Sequence, residues 1–187
     1  MSRGLEPDEW LMSQVASDRR DCLAPLVRRY ASPLLTFIRR MVGSEHRSEE
    51  LFQDVFMAVW TKRRQYQYPR PFRPWLFAIA ANQCKAAFRS ARPPAALLDE
   101  NFPTTPSAAG PTPVEAAVRS ETATLVAKAV AELPAQQRSV VVLRMWNSLS
   151  YAEIGQIVGV SEETARSHMS HGLKALRKVL ELRLREE

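Results

Sequence analysis

Cysteine is scarce in this 187-residue chain: only Cys22 and Cys84 are present, far apart and outside any CxxC or metal-ligand spacing. That excludes a disulfide framework, gives no sign of a zinc site and fits a reducing cytosol, so a cytoplasmic location is expected. No apolar run approaches the length of a membrane span, and the opening MSRGLEPDEWLMSQ carries acidic residues where an export signal needs an apolar stretch. The chain therefore reads as neither exported nor membrane-inserted. It has no Gly-rich phosphate loop, no nucleophile signature and no HExxH motif, so no catalytic residue, metal or cofactor is expected and the chain does not read as an enzyme. The most informative absence is of negative charge. Val55 to Leu98 contains no Asp or Glu, yet holds Lys62, Arg63, Arg64, Arg70, Arg73, Lys85, Arg89 and Arg92. Thr164 to Leu180 is a second acid-free window, with Arg166, Lys174, Arg177 and Lys178. With a net charge of +6 and a pI near 9.7, this distribution points to a polyanionic partner.

Apolar residues recur at three and four positions nearly throughout, and two-residue alternation is missing, so the expected fold is all-α. The spacing predicts helices over 7–16, 20–42 (interrupted near Pro33), 46–63, 72–91, 114–132, 135–147, 151–158 and 162–183. Residues 93–113, PPAALLDENFPTTPSAAGPTP, hold six of the thirteen prolines and only two charges. Such a stretch disfavours helix and reads as a flexible linker. Two small helical domains are expected on either side of it, over 1–92 and 114–187.

Residues 150–180 carry the sharpest local pattern. Ser150 with Glu153 three positions on forms a capping box, and Gly159 suits the left-handed residue that ends the short helix. Ser161 caps the next helix, with Glu162 and Glu163 in its first turn, where the helix dipole favours negative charge. Two helices joined by a tight turn make a helix-turn-helix. At about 100° per residue, Ala165, Met169, Leu173 and Leu176 share one stripe, expected to pack on Ile154, Val158 and Val160. The opposite stripe presents Glu163, Ser167, Ser170, His171, Lys174 and Lys178, flanked by Thr164 and Arg166. Small polar groups near the helix start can reach base edges while later cations meet phosphates. His168 and His171 have no third ligand nearby in sequence, so they are not read as a metal pair.

In the first domain, Phe72, Leu76, Ile79, Ala80 and Ala87 form the apolar side of the 72–91 helix. Trp75, Asn82 and Arg89 nearly eclipse one another, with Lys85 and Arg92 beside them. Cations neutralise phosphates, an aromatic face stacks on an unpaired base, and an amide can read a base edge, so DNA with some bases unpaired is the expected ligand; Trp75 is also compatible with a core position. The preceding helix buries Leu51, Phe52, Val55, Phe56 and Val59 and sets Glu50, Gln53, Asp54 and Met57 on another face. Acidic groups beside a DNA surface repel DNA and more plausibly meet a protein.

These blocks together carry a resemblance. Residues 22–92, with CLAPLVRRYASPLLTFIRRMVG, SEELFQDVFMAVW and PFRPWLFAIAANQ, and residues 114–180, with ELPAQQRSVVVLRMWNSLSYAEIGQIVGVSEETARSHMSHGLKALR, resemble the second and fourth domains of bacterial sigma factors of the extracytoplasmic-function (ECF) group. The resemblance implies two helical bundles and a role in transcription initiation. Glu50, Gln53 and Asp54 would bind the clamp helices of core RNA polymerase. Arg73, Trp75, Asn82, Lys85 and Arg89 would engage and melt the minus-ten element of promoter DNA. Glu163, Thr164, Arg166, Ser167, His171 and Lys174 would read the minus-thirty-five element. An anti-sigma factor is implied as a regulating partner. The chain departs from the common pattern at Ala81 and Ala86, and carries His168 and His171 where relatives are often basic. An autonomous helix-turn-helix regulator is the alternative; it accounts for residues 150–180 and leaves the cationic helix and the acidic face without a role.

Overall fold

The computed structural model describes residues 6–90 and 123–183, and every regular element among them is helical. The order is α1 (Asp8–Ala16), α2 (Leu23–Val42), α3 (Glu45–Thr61), α4 (Phe72–Ser90), α5 (123–131), α6 (Ala135–Met145), α7 (Tyr151–Val158) and α8 (Glu162–Arg183), with single 3-10 turns at Arg20–Cys22 and Arg63–Gln65. The expected linker over 93–113, the 114–122 portion of the expected 114–132 helix, and Arg92 lie outside the described residues.

In the first unit α2 buries Leu26, Tyr30, Leu34, Phe37, Ile38 and Met41 along one stripe against α3 and α4. The expected interruption at Pro33 does not occur: α2 runs unbroken through it. Proline removes one helix hydrogen bond at a cost of about 3 kcal/mol. Burial of the stripe on both sides of it, from Leu26 to Met41, offsets that cost, since each fully buried large apolar side chain contributes about 1.5–3 kcal/mol. Gly43 ends α2 with φ 73°, its N–H donating to the Arg39 carbonyl at 2.8 Å, and Ser44 then caps α3. Edge-to-face ring pairs knit the core, with Phe37–Phe77 centroids 5.6 Å apart and Tyr30–Phe72 5.4 Å apart.

Helix α1 fixes the position of α4 through a capping bond. The Glu9 carboxylate accepts the Phe72 backbone N–H at 3.1 Å, satisfying an orphan donor of α4 from a residue remote in sequence. Asp8 anchors α1 to α2, accepting from the Tyr30 hydroxyl at 2.6 Å and from Arg29. Burial, then the Asp8 carboxylate, drives the Tyr30 phenol well above its ordinary pKa.

In the second unit α6, α7 and α8 pack mutually. Helix α6 buries five consecutive residues, Ser139, Val140, Val141, Val142 and Leu143, because it meets α7 and α8 on one side and α2 on the other. The two units thus pack directly on each other, α6 on α2 and α7 on α4.

Candidate nucleic-acid interface

The helix-turn-helix forms as its sequence dictates. Ser150 and Glu153 make the reciprocal capping box that opens α7, and Gly159 closes it at φ 78°, donating to the Gly155 carbonyl at 2.9 Å. Burial alone would raise the Glu153 pKa, but bonds from the Ser150 hydroxyl and backbone N–H, with the nearby charge of Arg73, hold it below the ordinary value. Ser161 Oγ accepts the Thr164 N–H at 3.1 Å and caps α8. Gly155 had no assigned role in the sequence pattern, yet a Cβ there would lie 2.7 Å from the Val160 carbonyl oxygen. The turn approaches α7 too closely for any side chain at that position.

Ala165 and Met169 are buried on the inner side of α8 as expected, and Leu176 is half-buried. Leu173 is a correction: it is 45% exposed. Its place at the helix crossing is taken by Gly172, where a Cβ would lie 2.7 Å from Val141 Cγ2. Hydrophobicity identified the stripe, but closest approach requires the residue with no side chain. On the outer face Glu163, Thr164, Arg166, Ser167, Ser170, His171 and Lys174 are all exposed. Arg166 is braced by Glu162 and lies 4.7 Å from the centre of the Tyr151 ring; the Thr164 hydroxyl shares a 2.8 Å hydrogen bond with Ser161.

On α4, Asn82 and Arg89 are exposed and Lys85 is partly so, forming a common outer face with exposed Ala86. Phe72, Leu76, Ile79 and Ala80 are buried beneath it, together with Ala81. Trp75 and Arg73 depart from this face. Trp75 is half-buried in an aromatic cluster, 5.4 Å from the Tyr66 ring and 6.1 Å from Phe72. Arg73 is half-buried and donates to the Asn147 backbone carbonyl in the other unit. Beside this helix Tyr68 projects freely, 61% exposed in the segment leading into α4 and two residues from exposed Arg70. Its neighbour Tyr66 is buried, donates to the Arg70 carbonyl and has its phenol pushed up to about 12 by burial. The Tyr-x-Tyr-Pro-Arg run signals such a site only once the buried tyrosine is told from the exposed one.

Glu50, Gln53 and Asp54 share an exposed face of α3 with Met57, which is 64% exposed. Arg47 donates to Glu50 at 2.7 Å, and that bond, aided by His46 at 3.4 Å, holds the Glu50 carboxyl below its ordinary pKa. This carboxylate stays ionised and solvent-facing, suited to meeting a basic protein surface.

A helix-turn-helix on one unit and a cation-bearing helix with an exposed aromatic at its entrance on the other define a helical nucleic-acid-binding protein. Two family models match, Sigma-70 region 2 over residues 26–93 and Sigma-70, region 4 over residues 123–176. The RNA polymerase sigma factor CarQ of Myxococcus xanthus is 31% identical over 169 residues, spanning 90% of this chain and 95% of its own. The ECF RNA polymerase sigma factor SigW of Bacillus subtilis is 28% identical over 177 residues, spanning 90% and 94%. Among solved structures, CnrH in complex with the cytosolic domain of CnrY superposes with a TM-score of 0.73 at 23% identity, covering 95% of this chain and 99% of that one. The sigma factor RpoE in complex with the anti-sigma factor NepR from Bartonella quintana gives a TM-score of 0.65 at 21% identity, covering 85% and 96%. The chain belongs to the sigma-70 family of RNA polymerase sigma factors, in its ECF group.

Proposed function

We propose that this sigma factor divides its work among three exposed faces. The Glu50, Gln53 and Asp54 face of α3, with Met57, docks on core RNA polymerase. The α4 face of Asn82, Lys85 and Arg89, joined by Arg73, engages the minus-ten element as it melts, with Trp75 supporting the aromatic cluster beneath its entrance and Tyr68 offering a stacking surface. The outer face of α8, from Glu163 and Thr164 through Arg166, Ser167, His171 and Lys174, reads the minus-thirty-five element. The chain acts in the cytoplasm, where the polymerase is, and contributes no catalysis of its own. An anti-sigma factor regulates it, by likeness to the sigma factor RpoE, whose structure holds the anti-sigma factor NepR.

One observation supports this reading above the others: exposed acidic and exposed cationic faces occur on adjacent helices, α3 and α4, of one small unit. Two partners of opposite charge therefore meet it side by side. The test is complex formation with bacterial core RNA polymerase by the wild type and by a Glu50→Ala, Gln53→Ala, Asp54→Ala triple variant. Wild-type binding lost in a variant of unchanged helicity is expected. Equal binding by both would remove α3 from the interface, and no binding by either would remove the polymerase role.

A further inference from the structure

Tyr68 and Arg70 sit on a segment with little of its own to hold it. From Arg64 to Pro71 only Tyr66 is buried. Its main-chain bonds are turns between near neighbours: the Tyr66 N–H donates to the Arg63 carbonyl at 3.2 Å and the Arg70 N–H to the Gln67 carbonyl at 2.8 Å. Pro69 and Pro71 have no N–H to donate. Such turns fix local shape, while the direction in which the segment points has to be set from outside it.

Helix α1 holds both ends. At the start, Arg63 and Arg64 donate to the two oxygens of one carboxylate, that of Asp18 just beyond the end of α1, at 2.7 and 2.9 Å. Asp18 stands at φ 69°, in the left-handed region that aspartate tolerates better than most side chains. Arg63 also donates to the Trp60 carbonyl at 2.8 Å and lies 4.2 Å from the Trp60 ring centre, with Arg20 5.1 Å from the same ring. A lone exposed ion pair holds little, but one carboxylate shared by two arginines, one of them stacked, forms a network. Bonds from Arg64, then Arg63, keep the Asp18 carboxyl below its ordinary pKa, so it is ionised at neutral pH. At the far end, half-buried Glu9 accepts the Phe72 N–H at 3.1 Å, where α4 begins. Helix α1, nine residues and about 14 Å long, sets a fixed distance between the two holds.

We propose that Glu9 and Asp18 are positioning residues: through them α1 braces the 64–71 segment at both ends, so that Tyr68 is presented to an unpaired base in one orientation. The benefit to DNA binding rests on the stacking role given to Tyr68 in the proposed function; the brace itself does not. A ring already in place avoids the ordering cost that a loose loop carries into binding. The brace also reverses the sign expected from charge. Removing an acid from a basic surface strengthens its attraction for DNA, whereas removing either of these acids is expected to weaken it.

The test uses two charge-matched pairs of full-length variants. Asp18→Asn and Asp18→Gly are both neutral and both tolerate a positive φ, but only the amide can still accept from an arginine. Glu9→Gln and Glu9→Ala are both neutral, and only the first retains an acceptor for the Phe72 N–H. Binding of an oligothymidylate of about twenty nucleotides, at fixed salt, is expected to weaken about threefold or more in Asp18→Gly and Glu9→Ala, part of the loss of one stacked base. Asp18→Asn and Glu9→Gln are expected to recover most of it, and in a Tyr68→Ala background none of the four is expected to matter further. Hydrogen exchange reads the brace without DNA: the Phe72 amide is expected to exchange about tenfold faster in Glu9→Ala than in Glu9→Gln, and the Tyr66 and Arg70 amides faster in Asp18→Gly than in Asp18→Asn. Exchange equal within each pair would overturn the brace. Tighter oligothymidylate binding by Asp18→Gly, or equal losses with and without Tyr68, would overturn the positioning role and leave Asp18 as a neutraliser of Arg63 and Arg64. A wild type that binds no oligothymidylate, with the exchange differences as expected, would leave the brace standing and overturn the stacking role of Tyr68.

Discussion

Tyr68 and Trp75 differ in what surrounds them, and that separates two effects a sequence reading combines. Trp75 packs among Tyr66 and Phe72, so Trp75→Ala is expected to destabilise the first unit by about 2–3 kcal/mol, below the full core range because the ring is half-exposed. Chemical denaturation checks it. Tyr68→Ala removes an exposed ring and is expected to leave stability unchanged while weakening single-stranded DNA binding by about fivefold or more, the loss of one stacked base. Equal stability losses in both variants would show that Tyr68 packs as Trp75 does. Cys84 gives a third expectation at this scale. It is fully buried and burial pushes its thiol up to about 12, so little thiolate exists at neutral pH. Alkylation of Cys84 in the native chain is expected to be at least about a hundredfold slower than in the denatured chain, as a site reached only through opening would be.

Element α7 was legible from its ends inward because caps are local: Ser150, Glu153 and Gly159 each act within a few residues, and the helix occupies the predicted 151–158. Ser150→Ala is expected to cost about 1 kcal/mol, read by thermal or denaturant unfolding. Glu153 adds a pH signature. Its folded pKa is depressed from the ordinary 4.5, so its contribution is present above that value and lost as pH falls through the lower folded value. The stability gap between wild type and Glu153→Gln should therefore be full at neutral pH and close in acid. Elements whose form depends on distant packing were less legible. Pro33 reads as a breaker because the rule for proline is local, whereas the stripe from Leu26 to Met41 holds α2 together from outside it. Leu173 reads as core because it is apolar and in phase, whereas the crossing with α6 admits only Gly172. Trp75 has the right spacing for an outer stripe, but its environment comes from the segment before α4; Arg73, placed in the DNA-binding set by resemblance and not by spacing, bonds to the other unit. The acidic face of α3 was legible for the opposite reason, since no described residue packs over it and its periodicity alone decides its exposure.

At the scale of the whole molecule, the buried apolar residues form one continuous cluster that runs from Leu11 to Met169 and so joins both units. Beside that apolar continuity, the groups that bond or stack across the boundary, Arg40, Arg138, Ser139 and Asn147, are of types usually found at surfaces, so the sequence does not mark the contact. Their burial couples the units energetically as well as geometrically. A chain whose units unfold independently shows two heat-absorption peaks, whereas units sharing a core melt together. The wild type is therefore expected to give a single calorimetric transition with equal calorimetric and van't Hoff enthalpies. Arg40→Ala removes the stack on Trp146 from the α2 side and changes no residue of α6, α7 or α8, so it is expected to split that transition and let the second unit melt first, since its core is the smaller. Two peaks already present in the wild type would mean that the buried Arg40 and Asn147 contacts only touch and do not couple the units. A single peak retained in Arg40→Ala would shift the coupling onto the apolar contacts of Val140 to Leu143, where one cation cannot release it.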